Sequence, residues 1–388
     1  MDTAQELELL IRSKYPIIYL ETWEEERAEK LLKIIAQKLG KYLFIWTSTK
    51  GLFRSDIQEP IYNTNHPLNV LSHIYSADIA ALYLLKDFHQ HLDDPVVIRK
   101  LKDISGLFEK NDGCIIISTP EVKIPTELTR TMVHLELMLA SRDELKEVIV
   151  EAIKELRNEA NIYIGLSLDG LNQMAERLKG LTLSEAKRTI YQAILQDNRL
   201  TMEDLHRVVE AKKEIIAKSS ILEIYYCQDS LSLVGGMDTL KSWLSKRKKA
   251  LSEKAKKFGL EPPKGILIIG VQGCGKSLMA KAVARDWKLP LLKLDAGKIY
   301  DKYIGESEKN LRQALSITES MAPVVLWVDE IEKGFSYSQF SEADSGLSKR
   351  VFATFLTWLK EKKRMVFVVA TSNDIFSLPP ELIRKRKI

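Results

Sequence analysis

The chain has 388 residues, 45% of them apolar, and a formal net charge of +5. That length suits two or three domains, the apolar share excludes wholesale disorder, and so small a charge argues against a general nucleic-acid binder. Cys114, Cys227 and Cys274 stand far apart with no CxxC pair, which argues against a disulfide framework or a zinc site and suits a reducing compartment. The opening MDTAQELELL lacks the layout of a secretory signal, and no apolar run reaches the ~20 residues of a membrane span. The expectation is a soluble intracellular protein.

In chain order, YPIIYLET (15–22) reads as a strand feeding the helical stretch EEERAEKLLKIIAQKL. Further strands are expected in ALYLLKD (81–87) and CIIISTP (114–120), so residues 1–131 form a first α/β unit. From Met132 to about Lys218 the pattern turns helical, with Gly180 and Asn198 as helix stops, and residues 132–224 are expected to be a small helical bundle and linker. Residues 225–388 return to alternation. Strands are expected in GILIIG (265–270), PLLKLDAG (290–297), VVLWVDE (324–330) and MVFVVATSN (365–373), with helices after the glycines, over 307–321 and over 348–363. Short apolar strands alternating with helices imply a parallel sheet covered on both faces.

The two α/β units share a grammar. ALYLLKDFHQHL is laid out like VVLWVDEIEKGF, with Lys86–Asp87 where the second has Asp329–Glu330, and CIIISTPEVKIPTEL parallels VFVVATSNDIFSLPPEL, setting Thr119 opposite Asn373. The first strand of the first unit is followed by no glycine loop. The reading is a duplicated fold whose first copy has lost its phosphate site; chance similarity of two α/β units is the alternative.

The chemistry concentrates in GVQGCGKS, residues Gly270, Val271, Gln272, Gly273, Cys274, Gly275, Lys276 and Ser277, which fits G-x-x-x-x-G-K-[ST] between a strand and a helix. Without side chains at the glycines, successive backbone N–H groups can wrap a phosphate chain beside a helix N-terminus. Lys276 would reach the β- and γ-phosphates of ATP, and the Ser277 hydroxyl would ligate Mg²⁺. Acids at the end of a buried strand are costly unless they serve a cation or a proton. Asp329 is therefore placed on Mg²⁺, Glu330 as the base for water attacking the γ-phosphate, and Asn373 as the group orienting that water. The plain alternatives are two solvated acids and a turn-forming asparagine. Cys274 is either a small loop residue or a thiol with its pKa lowered by the helix start. The basic runs KRKKALSEKAKK (246–257) and RKRK (384–387) are solvated faces or, as a third reading, a nucleic-acid contact.

LVGGMDTLKSWL, KYIGESEKNLRQAL, the VDE box and ATSN together resemble the AAA class of P-loop ATPases, and WLKEKKRMVFVVATSNDIFSLPPELIRK resembles the hypothetical chloroplast reading frame forty-six family, AAA-like proteins of algal plastids and cyanobacteria. The resemblance runs from about Leu7 to Lys385. It implies a P-loop NTPase (AAA) parallel sheet with flanking helices, preceded by a degenerate AAA-like α/β unit and the helical bundle. It further implies that Val234, Gly235 and Gly236 border the adenine and that Asn373 senses the γ-phosphate. Tyr303 is placed as a pore aromatic gripping a polypeptide, and Arg384 as a finger acting on a neighbouring subunit's site. A homo-oligomeric, hexameric ring, a macromolecular substrate (protein favoured over nucleic acid) and a plastid stromal location follow from the same resemblance. The family pattern continues past the finger with Gly-Arg-Phe-Asp and a helical lid; here the text ends RKRKI, as in a shortened product. Two functions are therefore expected in competition: an ATPase that remodels a macromolecule, or a module that binds ATP without hydrolysing it.

Overall fold

A computed structural model describes all residues except 1–2, 58, 121–122, 160–161, 220, 226–230, 232–233, 252–254, 256, 300–305, 336–344, 363 and 384–388. The chain divides into two compact units, Met1–Met138 and Leu139–Ile388.

The first unit holds a six-stranded sheet made of β1 (Ile17–Glu21), β2 (Leu43–Thr47), β3 (Gly51–Arg54), β4 (Leu82–Lys86), β5 (Cys114–Thr119) and β6 (Met132–Glu136), in the order β3-β2-β4-β5-β1-β6. All neighbours are parallel except the β2–β3 pair. Strand alternation divides the apolar residues of β1 between two cores. Ile17 and Tyr19 pack with the helices Pro67–Ala77 and Pro95–Asn111, and Ile18 and Leu20 with the helices Thr3–Arg12 and Glu25–Leu39. Each such fully buried side chain contributes about 1.5–3 kcal/mol. The helical pattern expected from Met132 is not what forms. Val133 and Leu135 pack into the core of the helices Thr3–Arg12 and Glu25–Leu39 while His134 and Glu136, on the other face, are exposed, the alternation of a strand, and the segment pairs along β1 as the sheet's last strand.

The second unit opens with four helices, Arg142–Glu159, Leu168–Leu178, Leu183–Leu195 and Leu205–Ser219, and a two-residue parallel ladder of β7 (Tyr163–Ile164) and β8 (Arg199–Leu200). Their starts are written in the sequence. Ser167 caps the second, and Thr182 with Glu185 forms a reciprocal capping box on the third. Gly180 (φ +94°) and Asn198 (φ +55°) take the left-handed backbone expected of stops.

Then come β9 (Leu222–Tyr225), β10 (Gly265–Ile269), β11 (Leu291–Asp295), β12 (Val324–Asp329) and β13 (Val366–Ser372), in the order β10-β13-β12-β11-β9. Only β9 runs antiparallel, along β11. It lies in the segment where only the approach to a linker was expected. One face of the sheet packs on the helices Asp238–Lys248 and Lys276–Trp287. The other packs on the helices Glu306–Ser320 and Ser345–Glu361, and that core runs without a break into the four-helix bundle. Gly180 sits against Met321 and Ser320, at the start of β12 and so at the opposite end of that strand from Asp329.

The two sheets repeat one another. The order β2-β4-β5-β1 in the first is the order β11-β12-β13-β10 in the second. Matching the strand tips Lys86 and Asp329 sets Ser118 beside Thr371, and hence Thr119 with Ser372 rather than with Asn373. The hydrogen bonds agree: Thr22 N–H donates to the Thr119 carbonyl at 2.7 Å, as Gly270 N–H donates to that of Ser372 at 3.2 Å. The place that β6 takes beside β1 has no strand beside β10 among the described residues.

Candidate functional site

Parallel strands deliver their following loops to one end of a sheet, and ligands of such folds bind there. β10, β12 and β13 bring the glycine loop, Asp329–Glu330 and Asn373 to that end. Gly273 (φ +83°) and Gly275 (φ +88°) are in the left-handed region, and a Cβ on either would meet nothing within 4 Å, so their requirement is conformational. Gly270 differs. A Cβ there would stand 2.8 Å from Cys274 Sγ, so glycine lets the loop fold back on itself. The helix Lys276–Trp287 starts at the end of the loop, adding the partial positive charge of its first turn.

Lys276 is 8% exposed. Its ammonium donates to the carbonyls of Gly270 (2.7 Å) and Val271 (2.8 Å) and to Asn373 Oδ1 (2.9 Å), and lies 4.0 Å from Cys274 Sγ. Three acceptors satisfy its three N–H groups, which is what a buried ammonium requires. Asn373 carries the chain onward, with Nδ2 donating to Glu330 Oε1 at 3.2 Å. The other Glu330 oxygen, Oε2, lies 2.5 Å from Lys333 Nζ. The hydrogen bond and charge of Lys333, with a smaller contribution from Asn373, outweigh burial and hold the Glu330 carboxyl below its ordinary range. Glu330 also has φ +46°, rare for a side chain that is neither Gly, Asn nor Asp. Its N–H donates to Thr371 Oγ1 at 3.2 Å, and that hydroxyl donates to Asp329 Oδ1 at 2.9 Å. Asp329 Oδ2 is 3.1 Å from Lys293 Nζ, which lies over the Trp327 ring.

The structure thus joins Lys276, Asn373 and Glu330 in one hydrogen-bonded chain and sets Asp329 beside it. Ser277 and the loop residues Val271, Gln272, Gly273 and Cys274 are exposed at the mouth. Val234 is buried against the helix that follows the loop and Gly235–Gly236 are exposed, Gly236 at φ +63°. Tyr303 and Arg384 lie outside the described residues. Sequence reasoning missed Thr371, Lys293, Lys333 and Glu332, whose Oε1 accepts the Asn373 N–H at 3.0 Å. A signal existed for one: Lys293 interrupts the otherwise apolar LLKL of a covered strand.

The same place in the first unit is built differently. Only Thr22, Trp23 and Glu24 separate β1 from the helix Glu25–Leu39. In place of glycines and lysine stand Glu24, Glu25, Glu26 and Glu29. Lys86, at the tip matching Asp329, pairs with Glu29 at 2.9 Å and with Glu25 at 3.7 Å. Burial raises the Glu29 carboxyl, but hydrogen bonds from Lys33 and Lys86 prevail and keep it ionised. Carboxylates at a helix start exclude a phosphate by charge. The backbone turn is nevertheless the same, since Asp87 (φ +53°) takes the left-handed turn that Glu330 takes after β12.

A sheet of this order, with a glycine-lysine-serine loop after its first parallel strand, β10, and an acid pair at the end of its third, β12, is the fold of the AAA class of P-loop ATPases. Residues 266–388 match the family described as "ATPase family associated with various cellular activities (AAA)". Residues 3–137 and 143–219 match the N-terminal and second domains of SpoVK-like AAA ATPases. The AAA domain-containing protein ycf46 of Guillardia theta is 38% identical over 99% of this chain and 75% of its own length; that of Trieres chinensis is 39% identical over 99% and 76%. An ATPase family protein 2 homolog from Caenorhabditis elegans is 30% identical over 67% of this chain and 35% of its own. The chain belongs to the ycf46 family of AAA domain-containing proteins. Among the described residues, no helix is long and apolar enough to cross a membrane.

Proposed function

We propose that the second unit binds ATP with Mg²⁺ at the 270–277 loop and hydrolyses it, and that an oligomer of the chain uses the energy to remodel a macromolecule, protein rather than nucleic acid, in a plastid. The observation that carries this reading is the hydrogen-bonded chain Lys276–Asn373–Glu330, which joins the buried ammonium of the glycine loop to the carboxylate that follows β12. The loop fits a phosphate chain, because its left-handed glycines leave open space where Cβ atoms would stand. The Ser277 hydroxyl and the Asp329 carboxylate are hard oxygen donors suited to Mg²⁺, which needs few protein ligands when phosphates supply the rest. Bound there, Mg²⁺ would neutralise charge on the β- and γ-phosphates. Loop N–H groups and Lys276 would hold the phosphates, Asn373 would orient the attacking water, and Glu330 would take its proton. The plastid setting and the ring follow from the family resemblance.

The second reading is ATP binding without turnover. It is favoured by one feature: Asp329 and Glu330 are each already paired with a lysine. Phosphate release from the full chain, measured across protein concentrations, separates the two. Turnover that rises with concentration supports a hydrolytic oligomer; nucleotide uptake with no release at any concentration supports the binding module.

A further inference from the structure

Glu330 has its backbone fixed on both sides. Its φ of +46° and its N–H bond to Thr371 leave only the side-chain rotamer free. Lys333, three residues on in the short helix Ile331–Phe335, selects that rotamer. Its ammonium is 2.5 Å from Oε2, while Asn373 Nδ2 is 3.2 Å from Oε1, so both carboxylate oxygens are engaged. An oxygen already accepting from a full cation is a weaker proton acceptor, and its lone pairs are partly taken. The bond also has the means to open. The Lys333 side chain is 60% exposed and that of Glu330 33%, so water can replace either partner. Glu332 and Asp295 also act on Lys333 by charge and offer it other carboxylates. Glu332 Oε2, moreover, is buried without a hydrogen-bond partner, so that carboxylate keeps an accepting oxygen unused.

We propose that Lys333 is a positioning residue that holds Glu330 in a resting rotamer, and that its ion pair must open for water to be activated, so the pair brakes basal ATP turnover. This rests on the reading of Glu330 as the proton acceptor. It adds to that reading a regulatory contact within one subunit, distinct from phosphate binding.

The test is steady-state phosphate release from the full chain with Mg-ATP, for the wild type, Lys333→Ala, Lys333→Gln and Lys333→Arg, each also combined with Glu330→Gln. Lys333→Ala and Lys333→Gln are expected to raise kcat about threefold to fivefold, the range open to a pair half in water, with KM within twofold. Lys333→Arg, which keeps a cation, should restore the slow rate, and no substitution at 333 should matter once Glu330 is glutamine. A kcat that falls or stays level in both neutral variants, while Glu330→Gln abolishes turnover, overturns the brake and leaves the ATPase reading standing. ATP uptake with no phosphate release from any variant overturns both.

Discussion

One strand order has been given two different ends. In both units the third of the four matched strands, counted along the chain, finishes on a charged residue followed by a left-handed one: Lys86–Asp87 at β4, Asp329–Glu330 at β12. The connection at the first strand differs most. Three residues lead to a helix rich in glutamate in the first unit, against a six-residue glycine loop leading into Lys276 in the second. The same backbone turns can thus carry chemistry of opposite sign, because the turns are held by sheet hydrogen bonds and the chemistry by a handful of side chains. Function has to be argued from those side chains and not from the sheet.

The contrast can be broken most sharply at one lysine in each unit. Lys276→Ala should weaken ATP binding about 100-fold or more by removing a charge-assisted contact to phosphate. Lys86→Ala should leave ATP affinity unchanged while costing roughly 1 kcal/mol of stability, since it strips Glu29 of its half-buried partner. Calorimetric titration and thermal melts of both variants check the pair. Next in size is the acid after each tip: Glu330→Gln should retain ATP within threefold and lower kcat about 10²- to 10⁴-fold, whereas Asp87→Asn should alter neither. Equal losses in the two would make the units functional equals.

A smaller difference concerns pH. Burial, with the charge of Arg177 adding to it, pushes the Lys212 ammonium in the bundle down to about 7, and burial pushes Lys362 down to about 8. An unfolded lysine titrates near about 10.4. Between these values the unfolded chain holds a proton that the folded one has released, so stability of the second unit rises with pH from about 7 to about 10. The melting transition of the second unit should therefore rise with pH over this range, and Lys212→Met should reduce the slope while raising the transition by about 2–4 °C at pH 7. Smallest is the thiol contrast. Cys114, fully buried and pushed up to about 12, should resist alkylation, while exposed Cys274 should react and be protected by ATP. Mass spectrometry of alkylated chains with and without nucleotide reads this directly.

Much of this was legible in the sequence because it depends on local rules. Short apolar strands, the glycine spacing, the acid pair after VVLWV and the helix stops at Gly180 and Asn198 each follow from periodicity or backbone freedom. In the two main sheets β2, β3, β6 and β9 were not legible. β6 and β9 are short, half-exposed segments whose strand character comes from the neighbour they pair with. The duplication could be read, but its register was off by one at Thr119, since only hydrogen bonds across the sheet fix which residue faces which. Within the site, Lys276, Asn373 and Glu330 were named in advance. Their lysine counter-ions were not, because Lys293 and Lys333 reach Asp329 and Glu330 through a neighbouring strand and a helical turn that no motif records.

Calorimetric titration of the full, well-folded chain with ATP and Mg²⁺ addresses the central claim, that only one of the two matched sheets retains a nucleotide site. One site per chain, absent in Lys276→Ala and intact in Lys86→Ala, is the expected result. Two sites per chain, or no uptake by folded protein, would contradict it.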